Sequence, residues 1–80
     1  MWVALATMIT PNHPFCNQRI QDAAKFADFV PLYVHSNGEE IHGWDLLKFR
    51  LNDGDILYLT MPAVHLDHLW RNMVQELVVK

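Results

Sequence analysis

Runs of apolar and β-branched residues predict three strands along the chain. Trp2 to Thr10 is apolar except at its two threonines and lacks helical spacing, which indicates a strand. Phe29 to His35 alternates between two sets of side chains, and Pro31 within it cannot donate to a ladder, which favours an edge position or a strand start. Ile56 to Met61 is almost wholly apolar, the pattern of a central strand.

Two other segments carry helical periodicity. Asn17 is expected to cap the first helix, because its side-chain oxygen can accept an orphan N–H of the first turn. That helix has a narrow apolar face made of Ile20, Ala23, Ala24 and Ala27. The second and stronger periodic signal is near the end of the chain, where a single apolar stripe predicts an amphipathic helix through Leu66, Leu69, Trp70, Met73, Val74 and Leu77.

Turn residues separate these elements. Pro11-Asn12-His13-Pro14 ends the first strand, because two prolines remove backbone donors and restrict the path. Ser36-Asn37-Gly38-Glu39 predicts a type I′ hairpin turn, from which Glu40 to His42 returns antiparallel. Leu46 to Leu51 then alternates apolar and polar positions, and Asn52-Asp53-Gly54-Asp55 is the next turn.

These elements predict an α+β fold in the order β-α-β-β-β-α, with the helices packed on a small, mostly antiparallel sheet. The chain has 80 residues, which is room for one domain over residues 1–80 and one core. Hydrophobic residues make up 51% and charged residues 19%, so the chain is apolar for its size. A domain this small buries only about 60–65% of its unfolded surface, so part of the apolar excess should lie at the surface or against a partner.

Charge and segment length exclude further classes. The formal net charge is −3, and the six basic residues are scattered, which argues against nucleic acid as the main partner. The apolar run Trp2 to Ile9 is far shorter than the roughly 20 residues that a membrane-spanning helix needs, and it lacks the basic start of a signal peptide. The single cysteine, Cys16, excludes an internal disulfide and a cysteine-based zinc cluster.

The chain offers few groups for catalysis or metal binding. His65 and His68 are three residues apart on the predicted last helix and could share an ion, but no third ligand has a recognisable spacing. Asn52 to Asp55 has the composition of a calcium loop without its later acidic ligand, which favours a turn. Cys16 precedes the first helix, where its pKa could be lowered, but nothing orients His13 as a base, which favours an inert, partly buried thiol.

Three aromatic residues and two histidines of the hairpin complete the set of candidate residues. Trp44, Trp70 and Tyr58 are expected to be core residues in a chain of this size. His35 and His42 flank the hairpin and could face each other across the strands, which would make a pH-sensitive contact. The residues alone therefore predict a small binding or assembly module that is not an enzyme.

The order of these signals resembles the TrkA-C domain, the C-terminal domain of the regulators of potassium conductance. The most specific family signature is Leu-x-x-Gly-Asp-x-Leu followed by a strand, and here it is matched by Leu51-Asn52-Asp53-Gly54-Asp55-Ile56-Leu57. The family's turn and helix start correspond to Pro14 to Ala23, and its second strand corresponds to Phe29 to Gly38. The resemblance covers about residues 3–72. Asn17 stands where the family has glycine, and His35 stands where it usually has a basic residue.

The resemblance implies a cytoplasmic regulatory domain, a fragment of a longer protein, that is tied to the membrane through a potassium channel or transporter. It implies a homodimer that works with a Rossmann-type nucleotide-binding domain and a pore segment, and an effector such as a cyclic dinucleotide. No cofactor or catalytic residue is assigned. The predicted ligand groove is formed by Asn17, Arg19 and Ile20 at the turn-helix junction, with Tyr33 on the neighbouring strand.

Three other interpretations stay open from the residues. Asn17, Arg19, Ile20 and Tyr33 could instead have ordinary capping, surface and core roles. The chain could be an assembly module without a ligand, whose apolar surface only holds subunits together. A small metal-dependent enzyme that uses the histidines is the third possibility.

Overall fold

The computed structural model of the chain describes residues 1–27, 29–64 and 75–76. Its strands form one antiparallel sheet in the order β3-β2-β4-β1-β5, with two helices among the described residues. In chain order the elements are β1 (Trp2–Met8), α1 (Ile20–Ala27), β2 (Val30–Ser36), β3 (Glu39–Ile41), α2 (Trp44–Lys48), β4 (Ile56–Pro62) and β5 (Gln75–Glu76).

The centre of the sheet is a split β-α-β unit. Both β1 and β2 pair antiparallel with β4, so they run parallel to each other with β4 between them. Helix α1 makes the connection from β1 to β2. The short strands β3 and β5 extend the sheet at its two edges.

Alternation along the strands gives the sheet an inner face and an outer face. The inner face is almost fully buried, with Leu5 and Thr7 of β1 and Leu57, Leu59 and Met61 of β4 at most 1% exposed. The side chains that cover it from α1, α2 and the preceding turn include Ile20, Ala23, Leu46 and Phe15. The hydrophobic core therefore lies between the inner face and the two helices.

The α+β class and the main predicted strands are confirmed. Ile56 to Met61 is central, because β4 lies between β2 and β1. The hairpin turn is also confirmed: Asn37 and Gly38 have φ values of 52° and 81°, and β3 returns antiparallel to β2. Pro31 pairs with Leu59, on a part of β2 that β3 does not reach, as its missing donor requires.

The segment before the Gly-Asp turn is not a regular strand, although its sequence alternates. Residues Leu46 to Lys48 of this segment lie in a short helix, α2, which follows Gly43 at a φ of 64°. Within α2, Leu46 enters the core and Leu47 is 44% exposed, so the alternating positions do not mark one buried side.

The prediction that Asn17 caps the first helix is also wrong. In the first turn of α1, the N–H of Ile20 donates to the carbonyl of Phe49, and the N–H groups of Asp22 and Ala23 donate to the carbonyl of Arg19. Asn17 lies two residues earlier in the left-handed region, with φ at 67°, and its own N–H donates to the carbonyl of Leu51.

The predicted last helix lies mostly outside the described residues, and with it the apolar stripe from Leu66 to Val74. Its predicted extension through Leu77 is wrong, because Gln75 and Glu76 form β5 and pair with Ala6 and Leu5. Among the helices that the structure describes, none has the length and apolar content needed to cross a bilayer.

Candidate functional site

Three of the four predicted ligand residues lie at the start of α1, where the chain pairs with the segment after α2. The N–H of Asn17 donates to the carbonyl of Leu51, and the N–H of Leu51 donates to the carbonyl of Gln18. The Arg50 guanidinium donates to the Asn17 carbonyl. Asn17 and Arg19 are exposed, whereas Ile20 is fully buried in the core. This junction is a short antiparallel ladder held by backbone groups.

Tyr33, the fourth predicted residue, does not share a groove with Ile20. It pairs with Tyr58 on β4, while the next pair, Val34 and Leu57, enters the core beside Ile20. Tyr33 therefore projects from the outer face and Ile20 packs against the inner face. A ligand role for Asn17, Arg19, Ile20 or Tyr33 stays a prediction, but the structure does not bring the four together.

The outer face instead carries a row of stacked rings. The rings of Tyr33 and Tyr58 have centroids 4.3 Å apart with an interplanar angle of 15°. His42, just after β3, stacks on the other side of Tyr33 at 5.2 Å and 25°. The three rings thus stand side by side across β3, β2 and β4, in the offset-stacked geometry that aromatic pairs favour.

The rim of this row carries the ionisable groups of the outer face. The His42 Nε2 lies 3.3 Å from the Glu40 Oε1, and both side chains are more than half exposed. Desolvation by its neighbours, followed by the charges of Tyr58 and Glu40, raises the pKa of Tyr33 above its ordinary value. Tyr33 is therefore a neutral hydroxyl donor and acceptor at physiological pH.

Next to Tyr58 the side chains of the outer face are small and uncharged. Ala6 of β1 is the direct cross-strand partner of Tyr58, and Ala4 pairs with Thr60. The Thr60 hydroxyl is already satisfied, because it donates to the Val3 carbonyl at 2.9 Å. The result is a shallow floor of small side chains beside the Tyr58 ring.

We name the surface formed by the outward side chains of β1, β4 and β2 the outer face. It comprises Trp2, Ala4, Ala6, Met8, Ile56, Tyr58, Thr60, Pro62, Val30, Tyr33 and His35.

Larger apolar side chains border this floor and remain exposed. Trp2 is 59% exposed and Met8 is 51% exposed, at the two ends of β1. Val30 of β2, opposite Thr60, is 48% exposed. Neither β1 nor β4 contains a charged residue. An antiparallel sheet that faces water on one side normally places polar residues there, so this composition is typical of a sheet that is covered on both sides.

A second polar cluster lies inside the fold and has a structural role. His13 is 6% exposed, its Nδ1 accepts the N–H of Phe15 at 3.0 Å, and its Nε2 lies 2.9 Å from the Thr7 hydroxyl. Because Nδ1 accepts a hydrogen bond, the proton is on Nε2, which donates to Thr7. Burial lowers the pKa of His13, so the ring is neutral near pH 7. His13 is thus firmly oriented, contrary to the sequence interpretation.

The Gly-Asp turn is anchored by its buried carboxylate. Asp55 is 4% exposed and accepts the Ser36 hydroxyl at 2.6 Å and the Asn52 N–H at 2.8 Å. Its backbone also joins the end of β1, because the N–H of Ile9 donates to the Asp55 carbonyl. The turn interpretation of Asn52 to Asp55 is confirmed, and the Asp55 oxygens are engaged in holding β2 and the turn together.

The hairpin register corrects the prediction for the two histidines. His35 faces Glu40, and not His42. The two-residue turn at Asn37 and Gly38 fixes this register from sequence alone, and one further step places Tyr33 across from His42. The pairing of His35 with Glu40 was therefore predictable from the turn residues.

The expected core roles of the aromatic residues are corrected as well. Trp44 is 93% exposed on α2, so its predicted core role is wrong. Tyr58 is only partly buried and belongs to the outer face, where the sequence analysis did not place it. Trp70 lies outside the described residues.

The remaining candidate groups do not form a chemical site in the described part of the chain. Cys16 is a free, partly buried thiol packed against the core, as predicted. Within residues 1–27, 29–64 and 75–76, no three His, Cys, Asp or Glu side chains come together to hold a metal ion. His65 and His68, the predicted metal pair, lie outside these ranges.

Comparison with known proteins adds no relative: no family model, curated protein or solved structure matches the chain.

Proposed function

We propose that this chain is a regulatory, self-associating ligand-sensor domain of a cation transport system, similar to a TrkA-C domain. In this proposal the domain is cytoplasmic and acts through a Rossmann-type domain and a membrane pore or transporter segment. It binds a small effector such as a cyclic dinucleotide, and binding biases the arrangement of two copies through differential affinity. The domain itself catalyses no reaction.

The observation that carries the proposal is the outer face, which is incompletely covered and has no Asp, Glu, Lys or Arg among its named residues. Trp2, Met8 and Val30 are about half exposed there. The charged residues that give the chain its net charge of −3 lie in other parts of the chain. A contiguous exposed apolar patch is typical of a surface that binds a partner or a ligand. A domain whose role is to pair with its copy and transmit a rearrangement has this surface.

The anchored Gly-Asp turn also supports the proposal. Gly54 has a φ of 93°, which glycine adopts without steric cost, and Asp55 ties the turn to Ser36. Both residues are those of the Leu-x-x-Gly-Asp-x-Leu signature on which the resemblance rests. The signature residues therefore have a definite structural task in this chain.

An assembly module without a ligand is the second candidate, and the stacked rings favour it. Tyr33 lies between His42 and Tyr58, so both of its faces are already occupied by its own neighbours. Such a row of rings can serve a protein interface without accepting an effector.

Sedimentation velocity and a ligand screen separate the two candidates. For a regulatory domain we expect a reversible dimer at micromolar to millimolar concentration, and a rise in Tm with one of the cyclic dinucleotides, nucleotides or divalent ions, because a ligand that binds only the folded state stabilises it. A dimer without any thermal response would favour the assembly module. A chain that stays monomeric and shows no thermal response would contradict both.

A further inference from the structure

We propose that the outer face docks on the outer face of a second copy of this chain, with Trp2 of each copy packed over Ala6 and beside Tyr58 of the other. The proposal rests on the self-association in the proposed function and names its surface.

The relief of β1 is self-complementary. Trp2 projects at one end and is 59% exposed, while Ala4 and Ala6, two and four residues further on, form the floor of small side chains. Consider a two-fold axis that lies between the two outer faces and crosses β1 at a right angle at Ala4. This axis places Ala4 of one copy against Ala4 of the other. The same operation places Trp2 against Ala6, in both directions, as an isologous interface requires.

The neighbouring strands also match under this axis. Thr60 pairs with Ala4, and Val30 pairs with Thr60, so both residues lie at the level of the axis and meet their own copies. The half-exposed Val30 side chains are thereby covered. Tyr58, at the level of Ala6, meets Pro62, at the level of Trp2, which gives the ring an apolar contact.

The charges of the face do not oppose this pairing. β1 and β4 have none, and the acidic group on the outer side of the hairpin is Glu40, which faces His35. His35 pairs with Ile56, at the Met8 end of the sheet. The two copies of Glu40 therefore lie at opposite ends of the assembly.

The area predicts a weak and reversible dimer. The outer face is made of three seven-residue strands, each about 23 Å long and together about 14 Å wide, which gives roughly 300 Å² for each copy. Two copies then bury on the order of 600 Å², which is less than a stable specific interface buries, so the contact is weak and transient. We expect a dissociation constant in the micromolar range or weaker.

Substitutions of matched tryptophans test the surface. We expect Trp2→Ser to raise the dimer dissociation constant at least about tenfold in sedimentation equilibrium. Trp44→Ser is the control, because Trp44 is 93% exposed on α2, the helix that packs on the inner face. Circular dichroism and Tm measurements establish that both variants fold. If Trp44→Ser weakens the dimer and Trp2→Ser does not, the outer face is the wrong surface while the proposed dimer stands.

A cross-linking pair tests the axis without removing any apolar contact of the face. In a Cys16→Ser background, Ala4→Cys should give a covalent dimer with a short bifunctional maleimide, and Leu47→Cys on α2 should not. Linking through Leu47 alone would overturn the face-to-face arrangement. A wild-type chain that is monomeric up to about 1 mM would overturn this inference, and the ligand screen would then still test the sensor role.

Discussion

The two faces of β1 and β4 have similar hydropathy and very different surroundings. Leu5 and Leu59 on the inner face are at most 1% exposed, whereas Trp2 and Met8 on the outer face are about half exposed. The inner face has its partners in the same chain, in α1, α2 and the turn before α1. The difference teaches that apolar content alone does not locate a core: the packing of α1 decides which face becomes the core and which stays partly exposed.

Substitutions of two methionines test this comparison most directly. Met61 is fully buried on the inner face and Met8 is 51% exposed on the outer face. We expect Met61→Ala to lower the free energy of unfolding by about 2–5 kcal/mol, because it removes buried contacts and leaves a cavity. Met8→Ala should cost less than about 1 kcal/mol at a protein concentration where the chain is monomeric. Urea denaturation measures both values.

The dependence on protein concentration sharpens the comparison further. If two copies pair about Ala4, Met8 lies beyond the overlap of the two β1 strands, so the cost of Met8→Ala should not change with protein concentration, whereas the cost of Trp2→Ser should rise. Equal costs for Met8→Ala and Met61→Ala at low concentration would contradict the assignment of the faces.

The buried carboxylate at the end of the inner face gives the next largest effect. Asp55→Asn keeps the shape but replaces one acceptor oxygen by an NH₂ group, which cannot accept both the Ser36 hydroxyl and the Asn52 N–H. We expect a loss of about 1–3 kcal/mol in unfolding free energy. Asp53→Asn in the same turn is exposed and should change stability by less than about 0.5 kcal/mol. Equal effects would mean that the Asp55 contacts do not hold the turn.

The buried imidazole on the same side predicts a pH dependence. The pKa of folded His13 is lowered from 6.5, so below pH 6.5 the unfolded chain takes up a proton that the folded chain does not. Its contribution to stability is therefore full above pH 6.5 and is lost as the pH falls toward the folded pKa. The slope from this one proton is at most about 1.4 kcal/mol per pH unit.

Urea denaturation at pH 7.5 and pH 5.5 measures this slope. We expect His13→Gln to flatten it, because the amide can still accept from Phe15 and donate to Thr7 without titrating in this range. His42→Gln removes an exposed imidazole and serves as the control. A slope that persists in His13→Gln and vanishes in His42→Gln would show that the outer rim, and not the buried ring, carries the pH dependence.

Strands and turns were predictable because their signals are local. The Asn-Gly turn and the apolar run of β4 each depend on a few adjacent residues, and both are confirmed. The alternation before the Gly-Asp turn was misleading, because a five-residue helix with one buried leucine, Leu46, has no periodic signal of its own. Short helices are stabilised by tertiary packing rather than by their own sequence.

The candidate site was predictable only in part, because its residues meet through sheet pairing between distant segments. Tyr33 was singled out, but Tyr58 comes 25 positions later and reaches it through the pairing of β2 with β4. A register shift between Pro31 and Tyr33 sets which residue of β2 faces Tyr58, and no sequence pattern predicts this shift. Likewise, His13 is oriented by Thr7 on β1, a contact that depends on how the turn folds back.

The pair at the outer rim gives the smallest effect and tests whether that rim is solvated. His42 and Glu40 are in contact at 3.3 Å, with side chains 57% and 55% exposed. A double-mutant cycle with His42→Gln and Glu40→Gln should give a coupling below about 0.5 kcal/mol at pH 6, falling further in salt, because exposed ion pairs are screened. A coupling above about 1 kcal/mol at low protein concentration would mean that the rim is desolvated within one chain. In that case the outer face would already be covered in the monomer, and the contrast between the two faces would be smaller than the exposures of Trp2 and Met8 indicate.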